Sequence, residues 1–171
     1  KVHLTVANAP LPSKQTKTKV EQEADTPTPP FALNFDNLDL HFTLPNFLPL
    51  SSNELPCKVL WEATGYDPQT LTCNPAKRQL ALFNPLYLYG PSGCGKTHLL
   101  MAVAHTLRQQ GLNAIYTRTE TFTEHVVSAI RAGEMSLFRQ AYRNIDLLLI
   151  DDAHVFSRKS ATQEELFHSF N

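Results

Sequence analysis

The residues best suited to chemistry form one short stretch, GPSGCGKT, at positions 90–97. Gly93 and Gly95 let the backbone turn so that successive amide groups point inward, and the following helix adds the partial positive charge of its N-terminus. Lys96 can then reach the β- and γ-phosphates of a nucleotide, and the Thr97 hydroxyl can ligate Mg²⁺. The alternative is a glycine-rich turn that happens to precede a helix. The spacing predicts a site for ATP with Mg²⁺.

Two adjacent acids, Asp151 and Asp152, follow four consecutive apolar residues, Leu147 to Ile150. Such a run is typical of a buried parallel strand, and a carboxylate at its end is costly to desolvate unless a cation or water meets it. The pair matches a Walker B motif, in which Asp151 would hold Mg²⁺ through its water shell and Asp152 would act as the catalytic acid that polarises the attacking water. A pair of exposed acids at a strand end or helix cap is the alternative.

Composition and charge place the chain among globular proteins. Hydrophobic residues make up 42% of the sequence and charged residues 18%, and the formal net charge is -1. This nearly neutral net charge does not indicate a particular binding partner, although a local basic patch would still allow nucleic-acid binding. The sequence has no signal-peptide pattern and no apolar run near the ~20 residues that span a bilayer, so we predict a cytoplasmic protein.

The spacing of cysteines and histidines argues against a disulfide framework and a metal centre. The three cysteines are far apart and form no Cys-x-x-Cys pair, as expected in a reducing compartment. The histidines share no ligand spacing with acids or cysteines, so we interpret them as surface or packing residues. The histidines in question are His98, His105, His125, His154 and His168.

The elements that must position the two motifs alternate between strands and helices. The expected strands are Pro85–Tyr89, Asn113–Arg118 and Ile145–Asp152. The expected helices are Glu54–Ala63, Lys96–Gln110, one that opens on the capping box Thr121-x-x-Glu124 and ends near Gly133, and Glu134–Asn144. This alternation predicts an α/β layered fold.

The chain divides into three parts by composition. Residues 1–9 include a short strand pattern and are expected to end an upstream domain. Residues 10–30 are rich in Lys, Gln, Glu, Thr and Pro, which predicts a flexible linker. Residues 31–171 are expected to form the N-terminal part of the ATP-binding domain. Since the sequence starts at Lys1 and stops inside a predicted helix at Asn171, we expect it to be a fragment.

Three stretches together resemble one family, the bacterial chromosomal replication initiators. They are FNPLYLYG running into GKTHLL (83–100), DLLLIDD (146–152) and TQEELFHSFN (162–171). The last stretch is the most specific, because phosphate-binding loops occur in many families. The resemblance implies a P-loop NTPase fold of the AAA+ type, a three-layer αβα parallel sheet. In that fold a fourth strand lies between the first and third, so the sheet formed by residues 1–171 is expected to lack its middle.

The resemblance also implies a function and partners. Initiators, when loaded with ATP, assemble into a filament on origin DNA and open the duplex, with slow hydrolysis that we expect only of the complete protein. The implied partners are origin DNA, bound as duplex by a C-terminal domain and as single strand by the AAA+ domain, further copies of the protein, the replicative helicase and acidic phospholipids. An inserted helix pair, residues 121–143 here, would engage the single strand through Val127, and Lys159 would touch its phosphates. From the residues alone, Val127 could equally be a core valine and Lys159 a solvated charge.

The sequence departs from the family pattern at two places. Ala161 stands where initiators have an arginine, which removes one phosphate contact that Arg158 could replace. The Gly65–Leu82 stretch is an apparent insertion that puts the usual adenine pocket in doubt. Two alternatives therefore stay open: a helicase-loader or transposition-helper ATPase, and a regulatory adaptor paralogue of the initiator.

Overall fold

The computed structural model describes residues 32–158 and 162–165. The expected N-terminal domain end (1–9), the linker (10–30), Lys159 and Ala161 lie outside these residues. Across the described part of the chain, every helix is too short or too polar to span a bilayer.

The described residues form an α/β fold around a parallel pair of strands. The strands are β1 (Tyr66–Asp67), β2 (Thr72–Cys73), β3 (Ala114–Arg118) and β4 (Leu147–Asp151). The helices are α1 (Glu54–Thr64), α2 (Lys96–Gln109), α3 (Thr119–Ala132) and α4 (Met135–Arg143). Strands β3 and β4 run parallel, with α3 and α4 as the crossover, and Arg118 lies opposite Asp151 in their register. Each predicted helix is present, with ends within a few residues of those expected, and the α/β prediction is confirmed.

Helices cover both faces of the β3–β4 pair. Because successive side chains of a strand point to opposite faces, Leu147 and Leu149 face one layer while Leu148 and Ile150 face the other. The first two pack with the cluster around α1 and α2, and the last two with the cluster around α3 and α4. This is the three-layer arrangement that the family resemblance implies.

The α2 layer is built mainly from aliphatic side chains. Leu99, Val103 and Leu107 of α2 are almost completely buried against Tyr116 of β3 and Leu60 of α1. These positions recur at helical spacing on one face, which is why α2 forms where the periodicity predicts it. Full burial of each leucine contributes about 1.5–3 kcal/mol.

The α3–α4 layer is built mainly from aromatic rings. Phe122 of α3 lies 5.8 Å from Phe138 and 5.2 Å from Tyr142 of α4, and 5.8 Å from Phe156, measured between ring centroids. These contacts are edge-to-face, the arrangement that the aromatic quadrupole favours.

A segment that we call the strap, residues 34–47, joins the two layers across the β3 edge. The backbone of Asn34 contacts His125, and Asp36 accepts a hydrogen bond from the amide of Arg118 at 2.8 Å. Farther along, the Thr43 carbonyl lies 2.9 Å from the His98 ring, which stacks on Phe42. The strap gives buried polar groups of both layers their partners.

The predicted strand Pro85–Tyr89 does not form. These residues pair with no strand among those that the structure describes, and Tyr87 and Tyr89 are 66% and 83% exposed. The physical reason is that, within the described residues, β4 is bonded only to β3, and a cavity of about 540 Å³ lies between its other edge and this segment. The cavity lies where the resemblance places a further strand, in agreement with the expectation of a sheet without its middle.

The predicted capping box of α3 is wrong. The helix begins at Thr119, so Thr121 lies inside it, and no side chain caps its first amide groups. Tertiary contacts fix the start instead, because the Thr119 hydroxyl donates to the Asp151 carbonyl at 2.9 Å and Asp36 holds the Arg118 amide. Gly133 ends the helix as predicted, with a left-handed φ of 69°.

The apparent insertion, Gly65–Leu82, is a small folded unit. Gly65 ends α1 with a φ of 70°, and a side chain there would collide with the Asn74 carbonyl. The β1–β2 hairpin follows, and Arg78 then donates to Gln110 at the end of α2 at 3.0 Å. The insertion therefore packs beside α1 and the far end of α2, and its Leu80 lines the cavity that the phosphate-binding loop also lines.

Candidate functional site

The 90–97 loop has the backbone shape that the sequence predicts. Gly93 and Gly95 adopt left-handed φ values of 79° and 92°, a region that favours glycine. Gly95 is also required by its surroundings, since a side chain there would overlap the Phe47 ring of the strap. The loop leads directly into α2 at Lys96, so its amide groups and the helix N-terminus share one location.

The Lys96 ammonium is held over the loop. It donates to the carbonyls of Gly90 and Pro91 at 3.0 and 2.9 Å, and the Cys94 sulfur lies 3.8 Å away. An ammonium bonds more strongly to an anionic phosphate oxygen than to a neutral carbonyl. Lys96 can therefore transfer to a phosphate without leaving the loop.

The structure brings Thr97 and Asp151 into direct contact, although they come from different elements. The Thr97 hydroxyl donates to Oδ2 of Asp151 at 2.6 Å, and Asp151 is only 5% exposed. The amide of Asp152 donates to the other oxygen, Oδ1, at 2.9 Å. A hydroxyl and a carboxylate beside a phosphate-binding loop are hard oxygen donors, the type that Mg²⁺ prefers, so these residues fit that ion.

Asp152 differs from its neighbour. It is exposed and has a left-handed φ of 54°, so the chain turns sharply at the end of β4. Both acids line the same cavity as Lys96. The polar end of the cavity thus holds the residues of both motifs, while its apolar end is the unpaired edge of β4.

Sequence reasoning missed Tyr116 and Arg118. The Tyr116 hydroxyl donates to Oδ2 of Asp151 at 3.1 Å, and burial together with the Asp151 charge raises the pKa of Tyr116 to about 12. A hydrogen bond to this hydroxyl, with the nearby charge of Asp36, raises the pKa of Arg118. Both residues sit at alternate positions near the end of β3, and the signal that could have found them is the parallel register with β4.

Val127 lies on the surface of α3. It is 38% exposed, so its interpretation as a core valine is wrong. Ile130, one turn farther, is 55% exposed, and Leu137 of α4 is 51% exposed, which gives the helix pair an apolar outer surface. The contact of Val127 with single-stranded DNA stays a prediction, and Lys159 lies outside the described residues.

The described part of the 162–171 motif anchors to α4. Arg139 donates through two nitrogens to the carboxylate of Glu165, with contacts of 2.9 to 3.2 Å. Gln163 donates to the Phe156 carbonyl at 2.5 Å, and Thr162 is buried. These residues tie the segment after β4 to the helix pair.

His125 packs inside the α3–α4 layer. Its Nδ1 lies 2.8 Å from the Tyr142 hydroxyl, and its Nε2 lies 3.2 Å from the backbone nitrogen and oxygen of Asn34. Burial lowers the pKa of His125, against the opposing effects of Asn34, Glu124 and Asp36. In the described residues, no three or more side chains from histidine, cysteine, aspartate and glutamate come together in a way that could hold a metal ion.

Comparison with known proteins identifies close relatives of the domain. The family described as the bacterial DnaA ATPase domain matches residues 38–171. Over its whole length the chain is 57% identical to the chromosomal replication initiator protein DnaA 2 of Protochlamydia amoebophila, and covers 36% of that protein.

Solved structures show the same relationship. The chain is 35% identical to AMPPCP-bound DnaA from Aquifex aeolicus, with a TM-score of 0.67, over 80% of this chain and 39% of that one. A replication initiator DnaA bound to AMPPCP and single-stranded DNA is 34% identical, with a TM-score of 0.64 and the same shares covered. The chain therefore spans little more than a third of the length of these relatives.

Proposed function

The chain belongs to the DnaA family of bacterial chromosomal replication initiators, and we propose that the whole protein binds ATP with Mg²⁺ and assembles on origin DNA to open the duplex. The observation that carries this proposal is the 2.6 Å contact between Thr97 and Asp151, which joins the end of the phosphate-binding loop to the end of β4. Residues that are 54 positions apart form one oxygen-lined site beside Lys96.

In the proposed site each residue has a separate task. The loop amides around Gly93 and Gly95 bind the phosphate oxygens, and Lys96 exchanges its carbonyl partners for the β- and γ-phosphates. Thr97 and Asp151 would hold Mg²⁺, because their oxygen donors fit this ion. When bound, Mg²⁺ would supply positive charge that offsets the negative charge of the phosphates. Asp152, exposed at the turn after β4, is the acid that would orient a water molecule.

We further propose that nucleotide binding acts as an assembly switch and that hydrolysis is slow. Single-stranded DNA is the proposed ligand of the α3–α4 surface around Val127, in line with the solved relative that holds both AMPPCP and single-stranded DNA. Duplex origin DNA, further copies of the protein, the replicative helicase and acidic phospholipids are the other proposed partners. The division at residues 9 and 30 and the cytoplasmic location stay predictions.

The initiator is favoured over a helicase loader or transposition helper, because the relatives carry the initiator name along the full chain. An initiator and a regulatory adaptor would differ in how they use the same ATP site. The test that separates these two hypotheses compares ATP with ADP in filament assembly on single-stranded DNA. Equal assembly with both nucleotides would contradict an ATP switch.

The phosphate assignment is tested with Lys96→Ala in the full-length protein. We expect at least about a hundredfold loss of ATP affinity, since a charge-assisted bond to a phosphate contributes several kcal/mol in a partly buried site. Lys77→Ala removes an exposed lysine of the insertion and serves as the matched control with unchanged affinity. Binding of a fluorescent ATP analogue by Lys96→Ala at the wild-type level would refute the assignment.

A further inference from the structure

Three hydrogen-bond donors surround the buried carboxylate of Asp151. Thr97 at 2.6 Å and Tyr116 at 3.1 Å both donate to Oδ2, and the amide of Asp152 donates to Oδ1 at 2.9 Å. The loop and the strand end supply two of these donors, as expected for a Walker motif pair. The third, Tyr116, comes from the neighbouring strand and belongs to neither motif.

The parallel register places Tyr116 beside Asp151. Arg118 lies opposite Asp151 in the β3–β4 ladder, and Tyr116, two positions earlier, lies on the same side of β3 as Arg118. A tyrosine hydroxyl has a single proton, and in Tyr116 that proton is donated to Asp151.

The position of the Tyr116 side chain is fixed by its packing. It is completely buried among side chains of α2 and β4. Thr97 has two tasks, because its hydroxyl is also the expected ligand of Mg²⁺, whereas Tyr116 has only this one. The bond from Tyr116 thus does not depend on what Thr97 binds.

We propose that Tyr116 is a positioning residue of the metal site: its hydroxyl holds the Asp151 carboxylate in the direction that serves Mg²⁺ bound with the nucleotide. This inference rests on the proposed function, since it presumes that Thr97 and Asp151 hold the ion. It adds β3 to the elements that build the site.

The test measures how much Mg²⁺ strengthens ATP binding in the full-length protein. The readout is the ratio of the affinity for a fluorescent ATP analogue with Mg²⁺ to its affinity in EDTA. For Tyr116→Phe, which keeps the ring and removes the hydroxyl, we expect this ratio to fall about tenfold, as the loss of one hydrogen bond to a charged group predicts.

Two further variants interpret the result. Tyr142→Phe is the matched control: it removes the hydroxyl of another buried tyrosine, whose partner is His125 in the opposite layer, and it should leave the ratio unchanged. Asp151→Asn should lose nearly all of the Mg²⁺ effect. If the wild type shows no Mg²⁺ effect, or if Asp151→Asn retains it, the proposed metal site itself is wrong.

The inference about Tyr116 can fail while that site stands. If Asp151→Asn loses the Mg²⁺ effect but Tyr116→Phe has the wild-type ratio, Tyr116 does not position the Asp151 carboxylate. The same conclusion follows if Tyr116→Phe weakens binding equally with Mg²⁺ and in EDTA, since that is the result of a loosened fold. The inference is supported if the ratio falls for Tyr116→Phe and stays at the wild-type value for Tyr142→Phe.

Discussion

The two faces of the β3–β4 pair are covered by layers of different composition. The α2 layer is aliphatic and presents the phosphate-binding loop, whereas the α3–α4 layer is aromatic and contains a buried histidine. The buried cluster of the α2 layer includes the Cys57 thiol and the Tyr116 hydroxyl, and burial raises the pKa of both, which favours their neutral forms. The aromatic layer depends on His125 being neutral.

This difference separates two kinds of task. A loop that must keep its amide groups in place needs a layer that changes little with conditions, and close-packed aliphatic residues provide that. The surface with Val127 and Ile130 rests instead on rings whose contacts include hydrogen bonds to the strap. We therefore expect perturbations of the aromatic layer to affect DNA binding more than nucleotide binding.

The test with the largest expected effect substitutes one buried residue in each layer. Phe122→Ala removes a ring that touches three others and should lower the free energy of unfolding by about 3–5 kcal/mol, while Leu107→Ala in α2 should cost about 2–5 kcal/mol. Denaturant unfolding measures both. At a temperature where each variant is folded, Phe122→Ala should mainly weaken single-strand binding and Leu107→Ala should mainly weaken ATP binding.

The comparison fails if each of these variants weakens both ligands by the same factor. That result would mean that the β3–β4 pair transmits a defect from either layer to the other. Nucleotide and single-strand affinities, measured on the same preparation of each variant, distinguish the two cases.

The second test uses pH. Burial lowers the pKa of His125 below its usual 6.5, so the unfolded chain binds a proton more readily than the folded one. The stabilisation from neutral His125 is thus fully present above pH 6.5 and is lost as the pH falls from there towards the folded-state pKa. Asp36 and Glu124 oppose this effect but do not reverse it.

Unfolding midpoints measured between about pH 8 and pH 5 check this prediction, because that range spans the usual pKa of histidine. His125→Gln should remove most of the decline, at the cost of lower stability at pH 8. His105→Gln, on the outer side of α2 where the ring only meets the Asp39 carbonyl, is the control and should keep the wild-type slope. An unchanged slope in His125→Gln would show that other groups cause the decline.

The sequence predicts those parts of the site whose constraints are local. Lys96, Thr97 and Asp151 lie in motifs in which the residue types, the glycines and the adjoining helix or strand all agree. Tyr116 was out of reach, because an aromatic residue in a strand ordinarily indicates core, and the partner of its hydroxyl depends on the register that sets Arg118 opposite Asp151. The proposed metal ligand Asp151 was therefore predictable, but the tyrosine hydroxyl that bonds to it was not.

The two errors in the predicted secondary structure have the same origin. Thr121 and Glu124 satisfy a local capping rule, but Thr119 begins the helix because its hydroxyl reaches the Asp151 carbonyl across the sheet. Pro85–Tyr89 has the composition of a strand, yet a strand also needs a bonded neighbour, and the described residues place none beside it. In both cases a contact distant in sequence decides the local structure.

The smallest expected effect concerns the link between α4 and the segment after β4. Arg139 and Glu165 form a two-point ion pair whose side chains are 39% and 19% exposed, so solvent screens it in part. A double-mutant cycle with Arg139→Ala and Glu165→Ala should give a coupling energy of about 1 kcal/mol, at the upper end of the usual range for exposed pairs because of the bidentate geometry. Lys58→Ala, which breaks the exposed pair with Glu54 on α1, is the control with no measurable effect on ligand binding. If the Arg139–Glu165 coupling is present in single-strand affinity as well as in stability, the ion pair also helps to position the α3–α4 surface for DNA. Coupling in stability alone would confine the pair to holding α4 in place.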